Sequence, residues 1–297
     1  MDKRALDEFG VSERRTFEER LTARIVRRPF TDALGRKRLY KFFARAQPHV
    51  VRHYALSLPG WPRFERPLRI ALLADLHVGS HTDDVTRYAT IAREVSAFLP
   101  DLVLLGGDYV NMQWLGGGRV PPRVIARILA RITGRHGRFA ILGNHDYNYG
   151  DQEVAAALRA HGIIVLDHQR GSFTFGGHAI DVVGLPDAHI VRPQVQALLA
   201  SLAPDRPTIV LTHDPVWFKD VPPGPYLTLA GHTHGGQIKL PGLGVVTNAS
   251  RAPLRWSHGL VVEGGRHLIV TAGLGTGGIP LRIGVPPEYA LIEVTGP

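Results

Sequence analysis

The chain has 297 residues, 44% of them apolar and 21% charged, the make-up of a globular fold with a large core rather than a disordered or fibrous chain. It has no cysteine, so disulfides and thiolate metal sites are excluded and any metal must be held by His, Asp, Asn or Glu. No run of about 20 apolar residues occurs, so no membrane-spanning helix is expected, and the net charge of +9 sits entirely in residues 1–69, where 17 Lys and Arg face 8 Asp and Glu.

Residues 1–59 therefore read as a basic, partly helical arm on a near-neutral body, 60–297. Between residues 20 and 45, nine basic residues and one acid, Asp32, are interleaved with Leu21, Ile25, Val26, Phe30, Leu34, Leu39, Phe42 and Phe43. Pro29 and Gly35 split this stretch into two short helical pieces, the second with Leu39, Phe42 and Phe43 on one face. A basic amphipathic stretch over 20–46 suits an anionic membrane surface; docking of its apolar face on the protein's own core suits it equally well. Arg14-Arg15-Thr16-Phe17 is superficially like a twin-arginine export signal, but Glu18-Glu19-Arg20 and the arginines beyond leave no apolar h-region. The expected location is the cytoplasm, at the inner face of the membrane where the arm engages lipid.

From residue 68 short apolar runs alternate with amphipathic ones. Strands are expected at 69–74, 102–105, 138–142 and 163–166. Helices are expected at 84–99, at 120–132 with Pro121-Pro122 near the start, and at 153–160. A hairpin over 172–183 turns at Gly176-Gly177, and further strands are expected at 208–211, 227–230, 260–262, 267–272 and 289–294. Helices alternating with strands in the first half, then clustered strands, indicate a sheet-based α/β sandwich with 60–297 as one domain.

The chemistry-bearing residues stand where strands end. Asp75, Asp108, Asn144, His213 and His232 each follow a different expected strand, the position at which open sheets carry functional groups. A single Asp there is most often a helix cap; five such residues in company with His77 and His234 need another reason. In an extended segment His232 and His234 project from the same side, and the glycines around them let the backbone turn and approach a ligand closely. Such donors suit two divalent ions about 3.5–4 Å apart, whose repulsion calls for an anionic bridge that one carboxylate can supply. Nitrogen and oxygen donors with few carboxylates favour manganese, then iron or zinc, over calcium.

In order, Asp75-x-His77, Gly107-Asp108, Gly143-Asn144-His145-Asp146, His213 and Gly231-His232-x-His234 resemble the calcineurin-like metallophosphoesterase superfamily over residues 68–294. Gly235-Gly236-Gln237, Gly273-Leu274-Gly275, Pro280-Leu281-Arg282 and Pro286-Pro287-Glu288 are similar to a bacterial branch of it. That branch includes extracytoplasmic or membrane-associated phosphodiesterases and UDP-2,3-diacylglucosamine pyrophosphatases. The resemblance implies a four-layer α-β-β-α sandwich, two mixed β-sheets flanked by helices. It implies Asp75, His77 and His234 on one metal, Asn144, His213 and His232 on the other, and Asp108 bridging them. His145 would face the substrate, with Asp146 setting its tautomer. Asn111 stands where relatives often carry an acid, and Arg282 would contact a substrate phosphate or pair with Glu288.

The implied activity is two-metal hydrolysis of a phosphoester. The substrate would be a phosphodiester or pyrophosphate on a nucleotide or a lipid, attacked by metal-activated hydroxide. A broad-specificity phosphomonoesterase or protein phosphatase is the alternative. A nuclease is less favoured because no base-stacking platform accompanies the basic residues, and a non-catalytic scaffold because no ligand position is missing. His49, His53, His136, His161, His168, His178, His258 and His267 lack ligand-type partners in sequence and read as surface or structural; His81 and His189 are undecided. Oligomeric state is left open.

Overall fold

The computed structural model describes residues 46–297 apart from 82, 114–117, 186, 188–191 and 246. The expected arm up to residue 45 and His189 lie outside the described residues. Short apolar runs become strands because covering on both faces requires apolar side chains at every position. Thus β2 (Leu68–Leu73), β3 (Leu102–Leu105), β8 (Thr208–Thr212) and β9 (Tyr226–Ala230) are buried almost throughout.

The first sheet runs in the order β1-β14-β2-β3-β4-β5, with β1 Val50–Ser57, β4 Arg138–Ala140, β5 Ile164–Val165 and β14 Glu288–Thr295. β2 to β5 are mutually parallel, while β14 is antiparallel to β2 and parallel to β1. The second sheet runs β12-β13-β9-β8-β7-β6, with β6 Arg170–Phe175, β7 His178–Leu185, β12 Gly259–Glu263 and β13 Arg266–Val270. Its centre is parallel and its two outer pairs are antiparallel.

The inner faces meet in one core: Leu68, Ile70, Leu72, Leu104 and Ile292 from the first sheet pack with Ile180, Ile209, Leu211, Leu229 and Ile269 from the second. The outer face of the first sheet is covered by α1 (Asp84–Ala97), α2 (Pro122–Leu129) and α3 (Asn144–Arg159) through Ile91, Val95, Ile125, Leu129, Val154 and Leu158. The outer face of the second is covered by α4 (Arg192–Ala200) and the 3-10 turn Pro215–Asp220 through Val195, Leu199 and Trp217. These are the four layers expected from the resemblance.

Register sets the level at which loops leave. Leu73 pairs with Leu105 and Leu105 with Ala140, so the loops carrying Asp75, Asp108 and Asn144 emerge side by side. Leu211 pairs with Leu229, doing the same for His213 and His232.

Three elements differ from expectation. Residues 50–57, placed in the arm by their charge, form edge strand β1, whose exposure alternates along its length and whose Arg52 pairs with Glu288 at 2.9 Å. The helix expected at 153–160 is the second part of α3, which breaks at Gly150, whose φ of 146° is not helical. The first part starts at Asn144, because Asp146 accepts a hydrogen bond from Gly143 N at 3.0 Å and so nucleates the first turn inside a polar motif. α4 was not anticipated. Among the described residues no helix is long and apolar enough to cross a membrane.

Leu211 is fully buried between the sheets. Leu211→Ala is expected to cost about 2–5 kcal/mol of stability, read from the urea unfolding midpoint.

Candidate metal centre

Five loops converge at the ends of β2, β3, β4, β8 and β9. Five of the residues they carry, Asp75, His77, Asp108, His232 and His234, have left-handed backbone with φ between 40 and 69°. Asp and His tolerate this region better than most residues, but it remains a strained choice that surrounding contacts must enforce. Those contacts run from loop to loop. Asp75 N donates to Gly107 O at 3.0 Å, His77 N to Asp108 O at 2.9 Å and Gly231 N to His213 O at 3.1 Å, while Asp75 carboxylate accepts His232 N at 2.9 Å. Gly143 has no room for a side chain: a Cβ there would lie 2.2 Å from Asp108 Oδ1.

The side chains meet around Asp108. Its Oδ2 lies 3.5 Å from His77 Nε2, 3.4 Å from His213 Nε2 and 3.9 Å from His145 Nε2. On one side, His77 Nε2 is 3.3 Å from His234 Nε2, and the two join Asp75 in a cluster with metal-ligand spacing. On the other, His213 Nε2 is 3.1 Å from His232 Nδ1 and 3.2 Å from Asn144 Oδ1, and His213 and His232 cluster with Asp108. All seven expected ligand positions are brought together.

Three imidazoles have their other nitrogen committed to a carbonyl. His213 Nδ1 donates to Gly106 O at 2.8 Å, His232 Nε2 to Ala249 O at 3.1 Å and His77 Nδ1 to Val110 O at 3.4 Å. Whenever these rings are neutral, the nitrogens facing inward are therefore lone pairs, the arrangement that suits metal-ligating histidines. Converging lone pairs repel one another unless a cation lies between them, so the residues present fit divalent ions.

Electrostatics agree. Burial pushes the Asp75 carboxyl up to about 7, helped by the charge of Asp108 and opposed by His213. His77 is pushed down to about 3, chiefly by burial and then by neighbouring His145, and His234 falls for reasons of burial and of His77 beside it. For Asp108 and His213 burial disfavours charge, but the opposite charges around them together outweigh it: His213, His145 and His77 hold the Asp108 carboxyl well below the usual range, and Asp108 and Asp75 hold His213 well above. A proton on His213 thus stands in for a cation.

Two expectations are corrected. Asp146 does not touch the His145 ring; fully buried at the third position of α3, it accepts Asp108 N at 2.8 Å, Tyr109 N at 2.9 Å, Val110 N at 3.3 Å and Gly143 N at 3.0 Å. It holds the Asp108 loop rather than a tautomer, because a side chain there points back toward the helix start. Arg282 is 3% exposed and donates to Ala272 O at 2.7 Å, Gly275 O at 2.6 Å and His234 O at 3.3 Å, so it presents itself to the backbone and not to a substrate. It does not pair with Glu288 either, which bonds Arg52, His258 and Ala272 N.

The buried His81 ring stands 3.0 Å from Ser80 Oγ and 3.7 Å from Asp84 Oδ1, and its backbone N–H donates to Asp84 Oδ2 at 2.9 Å at the start of α1. Asn111 ties its own loop, donating to Gly118 O and accepting Gln113 N. His258 pairs with Glu288, a link invisible from sequence distance. Asp214, beside His213 in the sequence, caps the following 3-10 turn through Val216 N at 2.8 Å and stands 3.8 Å from His232 Nε2.

Fold and site together define a class. The model of the calcineurin-like phosphoesterase family matches residues 68–236, and the chain belongs to that family, a metal-dependent phosphoester hydrolase. Its relatives include the phosphodiesterase YaeI of Escherichia coli, 32% identical over 77% of this chain and 82% of that one. The YpbG protein of Bacillus subtilis is 28% identical over 86% of this chain and 92% of its own. Among solved structures, NAD nucleotidase (NadN) of Haemophilus influenzae superposes with a TM-score of 0.45 and 14% identity over 69% of this chain and 44% of that chain.

Asp146→Ala would strand four buried main-chain N–H groups and is expected to cost at least about 2 kcal/mol, measured by urea unfolding, with a lower metal content after reconstitution. Because Asp108 favours a proton on His213 where a cation would sit, uptake of Mn²⁺ is expected to release protons. Calorimetric heats that do not change between buffers of different ionisation enthalpy would contradict this.

Proposed function

We propose that the chain is a phosphodiesterase or pyrophosphatase acting on a nucleotide- or lipid-linked phosphate. In this reading Asp75, His77 and His234 would hold one divalent ion, Asn144, His213 and His232 would hold the other, and Asp108 would be shared between them. The observation that carries it is the position of Asp108 Oδ2, nearly equidistant from His77 and His213 at 3.5 and 3.4 Å, between two clusters that each draw residues from both sheets. Manganese suits the nitrogen and oxygen donors best. When bound, the two ions lower the pKa of a water and offset charge on the phosphoryl oxygens.

The chain's own residues do the rest. His145 N donates to Asp108 Oδ1 at 2.8 Å, which fixes where its ring begins, and the ring packs edge-on against His77 with centroids 4.7 Å apart. The His145 side chain is 24% exposed, while His77, His213, His232 and His234 are buried, so it is the histidine that a substrate meets. Its Nδ1 is buried without a hydrogen-bond partner among the described residues. A buried lone pair is less costly there than a buried N–H, which puts the proton on Nε2. That proton is the one donated to the leaving oxygen.

Preference for a diester has two supports. One is the relative from Escherichia coli that carries that activity in its name. The other is Arg282, whose guanidinium is spent on carbonyls and so does not provide the additional cation that a dianionic monoester recruits. The reading also places the activity at a membrane surface, which rests on the basic residues between 20 and 45.

His145→Ala is expected to keep both metals, by elemental analysis, and to lose about 10²–10⁴-fold in turnover; Asp108→Ala is expected to lose the metals themselves. Chelator-stripped protein reloaded with Mn²⁺ is expected to hydrolyse bis(p-nitrophenyl) phosphate faster than p-nitrophenyl phosphate. A preference for the monoester would overturn the diesterase reading.

A further inference from the structure

Turns that face water are normally built from polar residues and glycine. Two hairpins here obey this, turning at Gly176-Gly177 before His178 and at Gly264-Gly265 between Glu263 and Arg266. A third does not. The small hairpin of β10 (Lys239–Leu240) and β11 (Gly244–Val245) closes through Leu240-Pro241-Gly242-Leu243, and Leu243 is 73% exposed and Leu240 40%. Ile279 and Ile283 beside it are 43% and 41% exposed. Ile283 is tied to it by the backbone, Lys239 N donating to Ile283 O at 2.8 Å, and Ile279 is held by the side chain of Gln237 just before it, Nε2 donating to Ile279 O at 3.1 Å.

This apolar rim adjoins the metal centre. Gln237 lies three residues after His234 and also donates to Gly277 O at 3.0 Å, and a Cβ on Gly277 would fall 2.9 Å from His234 Nε2. Its charge is one-sided. Across residues 236–286 the only acid is Glu263, which pairs with Arg255 at 2.6 Å, whereas Lys239 and Arg251 are exposed.

We infer that the Lys239–Val245 hairpin, with Ile279 and Ile283, docks on an anionic lipid surface and presents the metal centre to a phosphoester carried in that surface. Exposed leucines at a turn tip, with a basic flank and no unpaired acid, have the chemistry of interfacial binding, in which apolar side chains enter the headgroup boundary while cations meet lipid phosphate. A protein partner would need matched surface of its own; a bilayer needs only the apolar tip and the positive flank. The lipid-borne substrate rests on the diesterase reading, whereas the docking does not.

The test uses the full chain, metal-loaded, and sedimentation with vesicles of phosphatidylcholine alone or mixed with phosphatidylglycerol. Measurements at about 0.5 M salt screen the contribution of the basic arm. The unaltered protein is expected to partition onto the anionic vesicles. Leu240→Ser with Leu243→Ser is expected to lose roughly tenfold or more of that partitioning, most clearly at high salt, with turnover of bis(p-nitrophenyl) phosphate unchanged. Because the chain has no cysteine, Leu243→Cys gives a single site for an environment-sensitive fluorophore, expected to shift to the blue on anionic vesicles while the same label at exposed Glu153→Cys does not. Equal partitioning by the unaltered and doubly substituted proteins would overturn the inference, as would a blue shift that follows protein concentration without vesicles, the mark of a second copy. Failure of the diesterase reading is seen separately, as absence of metal-dependent turnover in the unaltered chain.

Discussion

Asp108 is 1% exposed, and its Oδ2 is surrounded by the imidazoles of His77, His145 and His213. A buried carboxylate is costly unless a positive charge accompanies it. Here the charge is supplied by a proton on His213 or by metal, and His213 comes from the second sheet while Asp108 comes from the first. Electrostatic satisfaction of one side chain therefore couples the ends of two sheets whose middles are joined by apolar packing. The hydrophobic core is non-directional and would tolerate small shifts of one sheet against the other; the carboxylate, which needs its partners at fixed distances, does not.

The same coupling explains how so much backbone strain persists in one place. A left-handed conformation costs a non-glycine residue about 1–2 kcal/mol, and five candidate ligands adopt it. Relaxing any of these loops alone would break bonds made by another. Asp146 takes the N–H groups of Asp108 and Tyr109, Asp75 takes that of His232, and Gly275 N donates to Asp75 O at 2.6 Å. The donors are thus arranged by main-chain bonds rather than gathered by an arriving ion, which is what keeps ligand geometry within the tolerance that catalysis needs.

Much of this was legible in the sequence because it depends on local rules. Runs such as Leu102–Leu105 admit only a covered strand, and functional groups after strands in an α/β chain converge by topology. What was not legible depends on partners far along the chain. Asp146 follows His145 directly, so adjacency suggested an imidazole partner, whereas the helix start turned its carboxylate onto a loop 36 to 38 residues earlier. Arg282 and Glu288 have opposite charges six residues apart, yet each found its partners elsewhere. β1 was hidden by composition: Arg52 counts toward a basic arm, but its guanidinium lies against Glu288 within the first sheet. Charge totals describe a segment, and a strand is decided by alternation, which Val50, Arg52, Tyr54 and Leu56 satisfy on the inner side.

Arg282 and Glu288 also show why polar groups away from the ions are retained. Arg282 takes the carbonyls of Ala272, Gly273 and Gly275, while Glu288 takes the N–H of Ala272 and is itself held by Arg52 and His258. Between them the segment from Thr271 to Gly275 has its main-chain groups fixed, and it has to be fixed, because Gly273 lies so close to Asp75 that a Cβ would come within 2.5 Å of the aspartate's own Cβ. A shift of that segment by a fraction of an ångström would press directly on Asp75. The edge strand, through Arg52 and Glu288, thus bears on the placement of Asp75 without approaching the metal centre, and substitutions there act on the site through packing rather than through the charge they remove.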